Sequence, residues 1–236
     1  MNVTAAYSNS FTLFRENFLL FFTLAFAGIV AVTVIESLLF GIEYAVYGAP
    51  VTVENDVAIP GLNAGMLLWG LMSQVLLSAL SAVLHLAAWD VMRGAHPQPN
   101  AYLNRSAQMI LPLFFLSIVV GIIVGFGVIL LIIPGIYLFG MFAVLVPIIV
   151  IEGRGWEAMM RCVELSRGRR WHIAGSFVGL LVLLIAIVIV SAAIMGAIGD
   201  SIGAVLIVNT VISSLIFAFF AIFTTEIYGQ LVNSES

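Results

Sequence analysis

The chain has 236 residues, 63% of them hydrophobic and 8% charged, with a formal net charge of −4. A soluble domain is roughly a quarter charged and about half apolar, so the composition excludes an ordinary soluble enzyme and points to a membrane protein. All eight basic residues are arginines, and the absence of a broad basic surface argues against a nucleic-acid partner.

The N-terminal stretch MNVTAAYSNSFTLFRENF lacks the basic start, short apolar region and cleavage site of a signal peptide, so the first apolar block is expected to be retained. A span needs about 20 predominantly apolar residues. In chain order, such runs cover 18–40 (with helix continuing toward Tyr47), 62–89, 110–133, a short 135–151, 173–197 and 202–228. Several exceed the hydrocarbon thickness, which implies tilt or protruding ends. Residues 48–61, GAPVTVENDVAIPG, form a polar loop in which VTV and VAI flank END in the pattern of a small hairpin. IIPG at 132–135 and GDSIG at 199–203 read as tight breaks, because proline lacks a donor and glycine permits the turn. The expected fold is a single all-α membrane domain over 1–236. It holds about six transmembrane helices as three hairpins, each preceded by a short interfacial helix within YSNSFTLFRENFLLFF, NAYLNRSAQMILPLFF or AMMRCVELSRGRRWHIAG.

Arginine placement sets the orientation. Arg15 precedes the first span, Arg93 and Arg105 separate the second and third, and Arg154, Arg161, Arg167, Arg169 and Arg170 separate the fourth and fifth. With six spans every arginine lies on one side, which the positive-inside rule makes the cytoplasm, with both termini there.

The densest arginine stretch also carries local structure. Over 155–167, Trp156, Met159, Met160 and Val163 recur at the i, i+3, i+4, i+7 spacing of one helical face. Glu157 and Arg161 form an i, i+4 pair in the favourable order, and Gly168 is placed to stop the helix. A basic amphipathic helix with tryptophan at a membrane boundary lies in the interface, and each arginine near anionic lipid gains about 1 kcal/mol. Orientation alone accounts for positive charge. Beyond it, Arg161, Arg167, Arg169, Arg170 and Trp171 are the candidate contacts for lipid headgroups, since arginine grips phosphate in a bidentate way, or for a protein partner. The lone Cys162 has no internal disulfide partner, and no CxxC or His/Cys spacing suggests a metal, so no cofactor is expected. No paired base and nucleophile stands nearby, so no catalytic activity is expected either.

Polar residues within the spans offer the rival reading. Glu36 and Glu43 share a face of the first span; they either form a cation or proton site or reach water at its outer end. Gln74 and Asn209 sit near mid-membrane. They are expected to make interhelical hydrogen bonds, or, with Glu36, to line the cavity of a small-solute transporter. His85 and Asp90 read as boundary residues, and Glu152 and Glu226 fall at inner ends within reach of arginines. The pairs Gly121/Gly125 and Gly175/Gly179 suggest close helix packing, and Pro112 and Pro147 suggest helix ends or kinks.

Residues 131–175 carry Pro134-Gly135-Ile136-Tyr137-Leu138, Pro147, Glu152, Ala158, Arg161, Leu165, Gly168 and Trp171. In these the chain resembles the bacterial glycerophosphoryl diester phosphodiesterase membrane-domain family and the YciC-like inner-membrane proteins. Cys162 stands where that family usually has serine. The resemblance implies a six-helix domain of the bacterial inner membrane, a structural salt bridge from Glu152 to Arg161, and a role in lipid or envelope homeostasis. It does not imply phosphodiesterase activity. That chemistry belongs to a separate soluble barrel of roughly 250 residues, for which a chain closing on QLVNSES leaves no expected place.

Overall fold

A computed structural model describes residues 2–47, 64–199 and 201–234. The described helices are α1 (Val3–Glu16), α2 (Phe18–Phe40), α3 (Ile42–Tyr47), α4 (Ala64–Met92), α5 (Pro99–Leu130), α6 (Ile132–Phe142), α7 (Leu145–Glu152), α8 (Ala158–Leu165), α9 (Arg170–Ile198) and α10 (Ile202–Val232). No strand occurs among the described residues. Six stretches are long and apolar enough to cross a bilayer: Phe18–Phe40, Ala64–Met92, Pro99–Leu130, Ile133–Glu152, Arg170–Ile198 and Ile202–Val232. The protein is thus an all-α, multi-pass membrane protein. The hairpin expected over 48–61 and the side chain of Glu43 lie outside the described residues.

Local chemistry sets the boundaries. Asn2 caps α1 by accepting the Ala5 N–H at 3.2 Å. Asn17 closes it, its backbone N–H and side-chain amide both donating to the Leu13 carbonyl. The helix before the first span is therefore present, but it runs antiparallel along α10. Asn2 donates to Gln230 and Asn9 to Glu226, while Tyr7 packs on Phe223 and Phe14 on Phe219. The stretch before the third span behaves differently: α5 starts at Pro99 and runs unbroken for 32 residues. Pro99 occupies the first helical position, where a missing N–H costs nothing, and no glycine separates it from Ile110. The second expected interfacial helix is thus fused to the third span.

The break after α5 falls on Leu131, extended at φ −160° and ψ 128°, rather than on IIPG itself. Pro134 sits harmlessly in the first turn of α6, and Gly135 lets that turn press on α5. A Cβ at Gly135 would stand 2.6 Å from the Val128 backbone nitrogen. Span four bends between α6 and α7, because Pro147 has no N–H to return to Ala143. The pairs Gly121/Gly125 and Gly175/Gly179 do not pack as expected: added Cβ atoms at Gly121, Gly125 and Gly175 would meet nothing within 4 Å. Gly179 does make a close contact, with the Tyr7 hydroxyl.

Burial divides the bundle into two layers. α10 has 31 residues and so extends about 46 Å, against about 30 Å of hydrocarbon. Every residue from Ala221 to Gly229 is buried, while earlier in α10 burial is sparse. In α9 burial is confined to Ile173–Leu180, and in α4 it concentrates at Ala82–Ala88. With α1, α7 and α8 these segments form one tightly packed layer. Beyond it, α9 presents exposed apolar residues from Leu181 to Ile194, as expected where lipid tails take the place of a protein core.

Seven of the eight arginines gather at the packed layer. Arg93 covers Trp89, which packs on Tyr228. Arg105 donates to the carbonyls of Val150 and Ile151, and the five arginines of 154–170 surround the ends of α7 and α9. Asn2 and Ser234, near the two chain ends, lie here too, through Gln230 and Arg169. Arg15 is the exception. It follows Phe14, which packs on Phe219, roughly two and a half turns of α10 from Tyr228.

Candidate functional site

The helix expected over 155–167 is shorter, Ala158–Leu165, and its buried face differs from the expected one. Ala158, Cys162 and Leu165 face the core at i, i+4, i+7, while Trp156 and Met160 are exposed. Of the expected face, Met159 and Val163 pack partly against the core, while Trp156 and Met160 look outward. Burial pushes the Cys162 thiol up to about 12, and the negative charge of Glu152 adds to the effect.

Glu152, the last residue of α7, is a hub. Its Oε2 meets Arg154 Nε at 2.6 Å, and its Oε1 meets Arg161 Nε at 3.4 Å. The buried Tyr228 hydroxyl donates to the same Oε1 at 3.0 Å. One carboxylate thereby ties α7, α8 and α10 together. The pair with Arg161 anticipated from the sequence is present, and it occupies Arg161 away from the other candidate contacts.

Those other candidates divide. Arg169 turns to the Ser234 hydroxyl. Arg167, Arg170 and Trp171 line a cleft of about 610 Å³, together with Tyr137, Val163, Glu164 and Gly168. Two glycines shape it. Gly168 takes φ +76°, a left-handed conformation that ends the α8 segment and reverses the chain into α9. Gly140 has no Cβ, and one placed there would stand 2.6 Å from the Arg170 carbonyl. The α6–α9 seam closes on this point and brings Tyr137 under Arg170. The Arg170 guanidinium donates to the Tyr137 hydroxyl and, at 3.3 Å, to the Val163 carbonyl. Its carbon lies 5.2 Å from the Tyr137 ring centroid, and Trp171 packs on the same ring at 5.7 Å. Arg170 is therefore held by Tyr137 and the Val163 carbonyl, while Arg167 on the rim is exposed.

No family model, curated protein or solved structure matches this chain.

The cleft can hold an anion bearing several oxygens. A fixed guanidinium offers planar, paired donors suited to phosphate, and a second arginine lies one helical turn or less away in sequence. Tyr137 was visible in the sequence only through the family-like Pro-Gly-Ile-Tyr-Leu run, and Glu164 carried no signal at all. Both are placed by the fold.

The remaining polar residues stand elsewhere. His85, read as a boundary residue, lies inside the packed layer rather than on its surface. It is buried, with Nδ1 2.6 Å from the Ser81 carbonyl and Nε2 2.8 Å from the Thr224 hydroxyl. A carbonyl partner requires the proton on Nδ1, leaving Nε2 to accept. Asp90 accepts the Tyr102 hydroxyl at 2.6 Å and pins the α4–α5 connection. Glu226, within reach of arginines in the sequence reading, instead accepts from Asn9 and Gln230. Glu36 accepts the indole N–H of Trp69 at 2.9 Å, linking α2 to α4. Gln74 lines a cavity of about 190 Å³ with Ser78, Ser81 and Ser117; neither Glu36 nor Asn209 is part of its wall.

Proposed function

We propose that this protein is a binding module of the bacterial inner membrane, without catalytic activity of its own, that engages phosphate-bearing lipid headgroups from the cytoplasmic side. One observation carries the reading: the cleft where Arg167 and the aromatically held Arg170 converge at the membrane-boundary end of α9. Cations at that level gain from anionic lipid, and tryptophan and tyrosine favour the interface. A role in lipid or envelope homeostasis follows from the family resemblance, and the positive-inside rule supports cytoplasmic placement of the arginine end and both termini. The test replaces Arg167 with glutamine, because Arg167 is exposed and its loss spares the fold. After purification in native membrane discs, native mass spectrometry should show loss of retained phospholipid from Arg167→Gln. Unchanged retention in a folded variant refutes the reading.

Small-solute transport is the second reading, and the grouping of Gln74 with three serines in one mainly apolar cavity favours it. It requires Gln74→Cys to react with a water-soluble thiol reagent from both sides of the membrane. Reaction from one side only, or none, removes it.

A further inference from the structure

A separate apolar groove lies deeper along the same pair of helices. A second cavity, of about 320 Å³, follows the same α6–α9 seam and is walled by Val128, Ile136, Phe139, Phe177, Val178 and Leu181, among others. Its first wall residue on α9 is Ala174, one turn or about 6 Å beyond Arg170. On α6 its wall includes Ile136, the neighbour of Tyr137. The two cavities have no lining residue in common, but both draw on α6 and α9 and they follow one another along α9, charged at the helix start and oily deeper in. Headgroup and tail have that same order in a leaflet. The cleft is also not uniformly positive. Glu164 stands in its wall opposite the two cations in charge. Two guanidiniums and one carboxylate complement a phosphate joined to an ammonium better than a phosphate alone. Glu164 would repel a headgroup that carries only negative charge.

Resting on the lipid-binding reading, we infer that the occupant is one whole aminophospholipid: phosphate at Arg167 and Arg170, ammonium at Glu164, and an acyl chain in the α6–α9 groove. Charge complementarity picks the headgroup, and the order of the two cavities along α9 picks a lipid over a soluble phosphodiester. Trp171 and Tyr137 line the cleft, and their amphipathic rings suit the level between headgroup and tail.

The experiment uses the full chain in discs of equimolar phosphatidylethanolamine and phosphatidylglycerol, with native mass spectrometry of retained lipid. The intact protein should retain phosphatidylethanolamine over phosphatidylglycerol by about fivefold, the factor one charge near a membrane surface supplies. Glu164→Gln should bring that ratio to about one while total lipid is kept. Val178→Trp and Leu181→Trp fill the groove from exposed positions. Each should release the retained lipid yet leave binding of water-soluble glycerophosphoethanolamine unchanged. If either tryptophan variant keeps its lipid, the groove is not the tail site. If Glu164→Gln leaves the ratio unchanged, the amine assignment is wrong. In both cases loss of lipid from Arg167→Gln still upholds headgroup binding, whereas retention by Arg167→Gln sinks that reading and this inference with it. Thermal unfolding of each variant establishes that it is folded; should one tryptophan variant fail, the other decides.

Discussion

Replacing Glu152 by alanine should destabilise the packed layer through three partners at once. The Arg154 side chain is 43% exposed, so that pair is a surface contact contributing about 0–1 kcal/mol. Arg161 and Glu152 are 19% and 16% exposed. Removing one member of a fully buried pair costs about 3–5 kcal/mol, and partial exposure with a single 3.4 Å contact brings this nearer 2 kcal/mol by the same reasoning. Tyr228 is buried and would lose a charged acceptor at 3.0 Å, for about 1–2 kcal/mol. The contributions overlap, and about 3 kcal/mol is expected for Glu152→Ala. At about 2–4 °C per kcal/mol for a chain of this size, its melting temperature should fall by about 6–12 °C. Glu152→Gln keeps an acceptor for Tyr228 but loses the charge, and should fall by about half as much. Thermal unfolding in detergent, followed by tryptophan fluorescence, measures both. A Tyr228→Phe, Glu152→Ala cycle should show coupling of about 1 kcal/mol. A melting temperature for Glu152→Ala within about 2 °C of the parent would refute the hub.

Three further outcomes follow from particular contacts. Gly135→Ala places a methyl against the Val128 backbone and should cost about 1–3 kcal/mol, while Gly121→Ala, with open space around it, should stay within about 0.5 kcal/mol; parallel melting curves compare them. Thr224→Val leaves His85 Nε2 without its buried partner and should cost about 1–2 kcal/mol, measured the same way. The Cys162 thiol rises from 9.0 to about 12 on folding, so it favours the folded state below pH 9 and loses that contribution as pH climbs toward 12. At pH 8 a membrane-permeant maleimide should therefore label Cys162 only after denaturation; ready labelling of the native protein would contradict its burial.

Much of the fold was legible before any coordinates. Span number, a break close to IIPG at 132–135 and a turn at Gly168 come from local signals: runs of apolar residues, and the special backbone needs of proline and glycine. The errors share one cause. Ile110 reads as the start of a span distinct from the interfacial helix before it because hydropathy rises there, yet hydrogen bonding does not follow hydropathy, and one helix runs unbroken from Pro99. Gly121/Gly125 matched a packing motif, but spacing alone does not reveal which side of a membrane helix faces protein and which faces lipid, because both sides are apolar. His85 looked peripheral because only the partner helix α10 supplies Thr224.

The candidate site divides along the same line. Composition and order by themselves determined that the chain is helical and membrane-spanning. They also placed its arginines before the first span and in two connections, because charge is costly in hydrocarbon, whereas the pairing of Glu152 with Arg161 was implied by the family resemblance. Which arginines share a cleft was decided by the tertiary structure alone. Arg161, Arg167, Arg169 and Arg170 are equivalent cations in a linear reading. They separate because Gly140 lets α9 close on α6 at Arg170, Gly168 reverses the chain after Arg167, and Glu152 and Ser234 take the other two. That partition depends on distances between residues far apart in the chain, which only the packed bundle defines.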